Sequence, residues 1–205
     1  MISHQTKGVF AITPTPFTPD GALDRASLRP MTEWYLERKV DGLTILGILG
    51  EAQKLLPEES EAVVHEIVSA VAGKPVIVGI SAPGFAAMRS LALKSMEFGA
   101  AGVMMTPPAA MRTDEQITGW VRNAARAIGE DIPFVLQDHP TATGVVMAPR
   151  VIRQIIEENP SCVMLKHEDW PGLDKLTTLR RWQQQGKMRS ISILCGNGAL
   201  LHKSA

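Results

Sequence analysis

Residues 163–169 read Val-Met-Leu-Lys-His-Glu-Asp, an apolar run that ends abruptly in polar and charged side chains. The run has the composition of a fully buried β-strand, and Lys166 lies where that strand ends. Similar apolar runs begin at residues 9, 43, 76, 103, 134, 163 and 191, so that consecutive starts are 27 to 34 residues apart. This recurrence decides the fold class.

Helical periodicity fills the segments between these runs. The clearest apolar stripes are Val63, Val64, Ile67, Val68 and Val71 after the second run, and Ile117, Trp120, Val121, Ala124 and Ile128 after the fourth. The residues expected at helix boundaries are a capping box at Thr113–Gln116, first-turn prolines at Pro57 and Pro149, and terminal glycines at Gly99, Gly129 and Gly186. Pro30 is the exception, and it predicts a kink or a late start of the first helix.

Seven alternating strand and helix units with continuously apolar strands predict an α/β fold with a parallel sheet covered by helices. A doubly wound nucleotide-binding sheet would carry a glycine-rich turn after its first strand, but residues 13–17 contain no glycine. Polar motifs instead follow several strands, among them Gln137-Asp138-His139-Pro140 and Gly196-Asn197-Gly198. This distribution favours a (β/α)8 TIM barrel, whose active site is built from many strand ends.

We therefore expect residues 1–205 to form a single barrel domain with about seven βα units, lacking the eighth unit and C-terminal helices. An open barrel exposes strand edges, so a longer protein or a neighbouring chain is expected to cover the gap.

Charge and composition limit the function classes. The chain has 21 basic and 21 acidic residues, so we expect neither nucleic acid nor a membrane as a partner. No segment approaches the ~18 apolar residues of a membrane span, and residues 1–7 lack a signal-peptide pattern, which predicts a cytoplasmic protein. Cys162 and Cys195 lie in apolar sequence without a CxxC partner and are expected to be buried free thiols.

Lys166 is the candidate nucleophile. Burial disfavours the charged form of a lysine side chain, and a neutral amine condenses with a ketone or aldehyde to give a Schiff base. From the sequence no partner for its ammonium group is evident. The alternative is a lysine that begins the following loop and extends its amine to water.

The motifs, in order and spacing, resemble the dihydrodipicolinate synthase and N-acetylneuraminate lyase family of Schiff-base aldolases and dehydratases. The resemblance extends from about Gly8 to Asn197 and is carried by Thr15-Pro16-Phe17, Asp20-Gly21, residues 42–51, Leu56 with Glu58-Glu59, residues 75–79, residues 99–103 and Lys166. It implies that Lys166 forms an imine with the 2-oxo group of a pyruvate-like substrate. It also implies that the turn of Gly47, Ile48, Leu49 and Gly50 holds the substrate carboxylate, with Thr15 and Gly196 as further substrate-binding residues. The resemblance implies no cofactor and no metal. It also implies that the protein forms a homodimer or a homotetramer.

Several positions depart from the family pattern. Ile48 and Leu49 stand where most members have hydroxyl residues, which leaves only backbone N–H groups to bind the carboxylate. Gln137 occupies the position of the proton-relay tyrosine. Ala142 occupies the position of the arginine that dihydrodipicolinate synthases use for a second carboxylate. These departures argue against dihydrodipicolinate synthase as the specific activity of this chain.

The motif Gln137-Asp138-His139-Pro140 resembles the branch that dehydrates 2-keto-3-deoxy sugar acids. Strand alternation turns Gln137 towards the interior of the barrel, where its amide can orient substrate or water without exchanging protons. His139 can exchange protons near neutral pH. The predicted catalytic set is therefore Lys166, Gln137 and His139.

Two other functions remain open at this point. Asp138, His139, His167, Glu168 and Asp169 crowd adjacent strand ends, as they would in a metal-dependent barrel hydrolase. Alternation argues against this class, because only Glu168 shares the face of Lys166 while His167 and Asp169 point towards the helices. The second alternative is a degenerate family member or an inactive fragment that binds a ligand or a partner.

Overall fold

The computed structural model describes residues 1–197, which group into two compact units. The first unit comprises Lys7–Met104 together with Met1, and the second comprises Ile2–Thr6 and the chain from Met105 onward. Gly198 of the predicted strand-end motif lies outside the described residues.

The first unit alternates strand and helix. Its elements are β1 (Phe10–Ile12), α1 (Arg25–Glu37), β2 (Gly42–Ile45), a 3-10 turn (Ala52–Lys54), α2 (Pro57–Ala70), β3 (Val76–Gly79), α3 (Phe85–Glu97) and β4 (Gly102–Met105). β1 pairs in parallel with β2, β2 with β3, and β3 with β4. Every residue of β2, β3 and β4 is buried, as the continuously apolar runs predict.

The second unit continues the alternation. Its elements are α4 (Asp114–Ile128), β5 (Phe134–Asp138), α5 (Pro140–Thr143), α6 (Pro149–Glu158), β6 (Cys162–His167), α7 (Leu173–Gln184) and β7 (Ser192–Cys195). β6 is paired in parallel with β5 on one side and β7 on the other, so that Lys166 lies between Gln137 and Leu194. This register brings the polar ends of β5 and β6 side by side.

The predicted α/β fold is confirmed, with seven strands in the described residues, each parallel to the strands with which it pairs. Each strand begins within one residue of its predicted start. The Thr113 capping box and the first-turn positions of Pro57 and Pro149 are also confirmed. The late start expected from Pro30 is wrong: α1 begins at Arg25, because the carboxylate of Asp24 accepts the N–H of Ser27 and so caps the helix ahead of the proline.

The two cysteines differ in burial. Cys162 is fully buried, and this burial raises the pKa of its thiol to about 12, so the thiol stays protonated and unreactive. Cys195 is only partly buried, which corrects the prediction for that residue; it lies at the end of β7 rather than in its middle.

Within residues 1–197 no helix has the length and apolar character that crossing a bilayer requires.

Arg189 joins the end of α6 to the start of β6. Its guanidinium donates to the carbonyl oxygens of Ile156, Asn159 and Cys162 at 2.6 to 3.0 Å. We expect Arg189→Met to lower the free energy of unfolding by about 3 kcal/mol, since several carbonyls would lose a charged donor. The corresponding fall in Tm is roughly 6–12 °C and is measured by thermal denaturation. Arg126→Met, which removes an exposed arginine, is the control, and equal losses in both variants would contradict this role.

Candidate active site

Lys166 lies at the C-terminal end of β6 with only 8% of its side chain exposed. Its Nζ lies 3.1 Å from Oε1 of Glu168. The expectation that the ammonium group lacks a partner is therefore wrong. The partner is two residues along the chain, where strand alternation turns both side chains to the same face. A carboxylate at this distance can stabilise the charged amine or accept a proton from it.

Glu168 is the centre of the cluster. Its Oε2 accepts a hydrogen bond of 2.7 Å from Nε2 of Gln137, and its side chain is 13% exposed. The two carboxylate oxygens are thus divided between the amine of Lys166 and the amide of Gln137. A carboxylate held in this way has a fixed orientation towards the lysine.

His139 stands next to this carboxylate but does not bond to it. Its Nδ1 lies 3.7 Å from Oε2 of Glu168, beyond hydrogen-bonding distance, and has no hydrogen-bond partner among the described residues. The side chain is 24% exposed, so it is accessible from one side. An imidazole with a free nitrogen beside a carboxylate is a candidate proton donor or acceptor.

Gly196 follows β7 and lies against Glu168. A Cβ atom at this position would be 2.3 Å from Cγ of Glu168, which no real side chain tolerates. Its N–H also donates to the carbonyl of His167 at 2.9 Å. Glycine at 196 therefore leaves the space that the Glu168 side chain occupies.

The structure brings four of the predicted site residues together around a residue that was not in the predicted set. Lys166, Gln137, His139 and Gly196 all lie against Glu168. The sequence signal for Glu168 was its place two residues after Lys166, which showed its face but not its contacts. Contact with Gln137 and Gly196 depends on strand register, which the sequence does not state.

The other face of the same strand ends carries a separate ionic network. Nζ of Lys175 donates to Oδ2 of Asp138 at 2.9 Å and to Oδ2 of Asp169 at 2.7 Å, and Nδ1 of His167 lies 3.1 Å from Oδ2 of Asp138. The predicted alternation is confirmed, since Asp169 contacts Lys175 of α7, and His167 contacts the same carboxylate oxygen of Asp138 as Lys175 does, away from Lys166.

Asp169 makes part of this network pH-dependent. Burial raises the pKa of Asp169, but the hydrogen bond and charge of Lys175, the N–H of Trp170 and the charge of His167 outweigh it and hold the pKa below its usual value. A carboxyl group with a depressed folded pKa stabilises the fold above its unfolded pKa of about 3.9, and this contribution is lost as pH falls through the folded value.

We expect Asp169→Asn to lower Tm at pH 7 and to lower it less as pH falls below about 4, because protonation then removes the same charge from the wild type. Thermal denaturation of both proteins between pH 7 and pH 3 measures the difference. Asp131→Asn, at an exposed position, is the control. A difference in Tm that stays constant over this range would contradict the assignment.

The remaining predicted residues belong to the first unit. The turn of residues 47–50 follows β2, and the residues that flank it, Leu46 and Glu51, both have left-handed backbones, with φ of 53° and 52°. Oγ1 of the buried Thr15 donates to the carbonyl of Gly50 at 2.6 Å and holds this turn. Left-handed residues other than glycine are uncommon and cluster at functional sites. The binding of a carboxylate by this turn stays a prediction.

Ile48 and Leu49 of the same turn are exposed. Their side chains provide no hydrogen-bonding groups, so the turn has only its backbone to offer an anion.

Residues 5–204 match the Dihydrodipicolinate synthetase family, and the chain belongs to that family. The family predicted from the sequence is confirmed. The chain is 34% identical over 163 residues to a 4-hydroxy-tetrahydrodipicolinate synthase of Pelobacter propionicus, covering 78% of the chain and 54% of that protein. It is 31% identical over 180 residues to an L-2-keto-3-deoxyarabonate dehydratase of Azospirillum brasilense, covering 85% of the chain and 57% of that protein.

Among solved structures, a dihydrodipicolinate synthase from Rhodopseudomonas palustris is 56% identical, with a TM-score of 0.94 over 98% of this chain and 67% of that one. The chain spans about half the length of the curated relatives it matches.

Proposed function

We propose that this chain is part of a Schiff-base lyase, an aldolase or dehydratase, that acts on a 2-oxo acid through an imine on Lys166. The observation that carries the proposal is the nearly buried amine of Lys166, 3.1 Å from a carboxylate that Gln137 holds in place. Family membership supports the same chemistry, since the relatives include a 4-hydroxy-tetrahydrodipicolinate synthase and an L-2-keto-3-deoxyarabonate dehydratase.

Glu168 prepares the amine in this proposal. A lysine attacks a carbonyl only as the neutral amine, so a proton must leave Nζ before the imine can form. Oε1 of Glu168 is within direct transfer distance of Nζ. The amine then adds to C2 of the 2-oxo acid, and the carbonyl oxygen takes one proton from Nζ and the proton held by Glu168 and leaves as water. This step restores the carboxylate of Glu168 and leaves a protonated imine on Lys166.

Imine formation acidifies the hydrogens on C3 of the substrate. A base that removes one of them and an acid that protonates the C4 hydroxyl together expel water. Water then hydrolyses the product imine, which releases the dehydrated 2-oxo acid and the free amine of Lys166. We assign these proton transfers to Glu168 and His139. Oε2 of Glu168 lies 3.7 Å from Nδ1 of His139. Because Gln137 occupies the position of the family's proton-relay tyrosine, other residues must transfer these protons, and neither Glu168 nor His139 requires a tyrosine.

Gln137 positions the carboxylate. An amide has no proton to exchange at neutral pH, but its Nε2 fixes Oε2 of Glu168 and leaves Oε1 facing Lys166. Strand alternation predicts that Gln137 orients another group in the site. In this proposal the group that Gln137 orients is the carboxylate of Glu168.

The proposal extends to the architecture of the whole protein. We take the seven strands of the described residues as seven of the eight in a (β/α)8 barrel. We expect a homodimer or homotetramer, as the family resemblance implies. The turn of residues 47–50 is assigned to the substrate carboxylate by resemblance to that family.

The test is reductive trapping. The protein is incubated with pyruvate or with a 2-keto-3-deoxy sugar acid, reduced with borohydride, digested, and the modified lysine is located by mass spectrometry. A stable adduct on Lys166 supports the lyase. Turnover that a chelator abolishes, with no adduct, would instead support a metal-dependent hydrolase. Absence of both would support a ligand-binding family member.

We expect substrates with a neutral tail to be preferred. The side chains of Ile48, Leu49 and Ala142 offer neither a charge nor a hydroxyl to a second anionic group of the substrate. The second charged group of a dicarboxylic or amino-acid aldehyde would therefore be desolvated without a partner. Turnover of a panel of 2-keto-3-deoxy acids is compared with turnover of aspartate semialdehyde plus pyruvate, with product analysis to distinguish dehydration from carbon–carbon cleavage. Comparable rates for the two classes would overturn this preference.

A further inference from the structure

His167 makes two polar contacts in a site where it is fully buried. Its Nε2 lies 3.1 Å from the carbonyl oxygen of Gly172, and its Nδ1 lies 3.1 Å from Oδ2 of Asp138, which is also fully buried. Gly172 permits the first contact, because a Cβ atom there would be 2.5 Å from Nε2. Both partners of the imidazole are therefore hydrogen-bond acceptors.

These contacts fix the number of protons on the pair. A carbonyl oxygen can only accept, so Nε2 carries a proton. An unprotonated Nδ1 would direct its lone pair at a carboxylate oxygen where both side chains are fully buried, which is unfavourable. A second proton must therefore lie between Nδ1 of His167 and Oδ2 of Asp138.

Lys175 decides which atom carries that proton. Its Nζ donates to the same Oδ2 of Asp138 at 2.9 Å, and a carboxylate that receives hydrogen bonds from two cationic donors is stabilised in its ionised form. With His167 as an imidazolium, the two cations His167 and Lys175 balance the two carboxylates of Asp138 and Asp169. From β7, Cys195 lies opposite His167, and its thiol donates to the carbonyl of Asn197 without adding charge.

The sequence positions of this pair connect it to the candidate active site. Asp138 lies between Gln137 and His139, and His167 lies between Lys166 and Glu168. Asp138 and His167 are also direct partners in the β5–β6 register, and the N–H of Glu168 donates to the carbonyl of Asp138 at 2.8 Å. Neighbouring residues of a strand point to opposite faces, so one ion pair behind the strands aligns four side chains in front of them.

We propose that His167 is an imidazolium whose pairing with Asp138 locks the ends of β5 and β6 in register, which makes it a positioning residue for Lys166 and Glu168. The positioning role rests on the proposed function, whereas the charge state does not. A buried pair of this kind has a large effect when one partner is removed, because the other charge is left uncompensated.

The charge state is tested on the unaltered protein by nitrogen NMR of its labelled histidine rings, with the His167 signals assigned by their loss in His167→Gln. We expect both ring nitrogens of His167 to carry a proton at pH 7. A neutral tautomer, seen as one protonated and one bare ring nitrogen at pH 7, overturns the imidazolium.

The pairing is tested by His167→Gln and by the double variant Asp138→Asn/His167→Gln, with His65→Gln as the control because His65 lies exposed in α2 of the first unit. We expect the single variant to lose about 10 °C in Tm and the double variant to regain at least half of it, since removing both charges restores balance with Lys175 and Asp169. A double variant that is no more stable than the single variant overturns the pairing.

The positioning role is read from the rate of imine formation with pyruvate, measured by borohydride trapping well below the Tm of each variant. In His167→Gln we expect the rate constant to fall at least ~10-fold while the half-saturating pyruvate concentration changes less than ~2-fold, because alignment of the amine rather than binding is impaired. A variant that loses Tm but traps pyruvate at the wild-type rate overturns positioning. If the wild type itself forms no adduct, the proposed function fails and positioning with it, and the NMR result alone decides the charge state.

Discussion

Lys166→Ala is expected to abolish both the reducible adduct and turnover. Without the amine no covalent imine can form, and loss of a covalent nucleophile costs on the order of 10⁴-fold or more in rate. Trapping with pyruvate and borohydride, followed by mass mapping, measures the adduct, and product formation from 2-keto-3-deoxy acids measures turnover. Thermal denaturation of the variant confirms that it is folded.

Lys54→Ala and Lys74→Ala are matched controls, because both lysines are exposed and should retain adduct and turnover. Their exposure also makes them the competing sites for nonspecific modification. An adduct that maps to Lys54 or Lys74 in the wild-type protein, or that persists in Lys166→Ala, would show that Lys166 is not the nucleophile.

Strand positions and the face of each strand-end residue could be predicted because they depend on local sequence. Each continuous apolar run is short and is bounded by polar residues, so each strand start was predicted to within one residue. Alternation then placed Lys166 and Glu168 on one face and His167 on the other, which the contacts confirm. Of the two outcomes expected from Pro30, a kink or a late start of α1, the late start is wrong, because the cap at Asp24 begins the helix ahead of the proline.

The partners of each side chain could not be predicted in the same way. The contact between Gln137 and Glu168 joins residues 31 apart and requires the β5–β6 register. The close approach of Gly196 to Glu168 requires in addition the position of β7. Lys175 illustrates the same limit, since a lysine in an amphipathic helix is usually solvated, whereas here it is buried between Asp138 and Asp169.

Glu168→Gln is expected to separate imine formation from the later proton transfers. Glutamine keeps the size of the side chain but cannot accept a proton from Nζ of Lys166 or exchange one with substrate. Turnover should fall about 10²–10⁴-fold, the usual contribution of a positioned acid or base, while the adduct with pyruvate still forms on Lys166 at a reduced rate. Steady-state turnover and the trapping rate, measured on the same preparation, give the two values.

A steric variant tests the same role without removing the charge. In Gly196→Ala the new Cβ would lie 2.3 Å from Cγ of Glu168, so the carboxylate must leave its place between Lys166 and Gln137. Turnover should therefore fall in Gly196→Ala as it does in Glu168→Gln, whereas Glu130→Gln, at an exposed position in the α4–β5 loop, should retain it. If Glu168→Gln and Gly196→Ala both turn over at the wild-type rate, the carboxylate is only a counterion for Lys166, and the proton transfers must be assigned to His139.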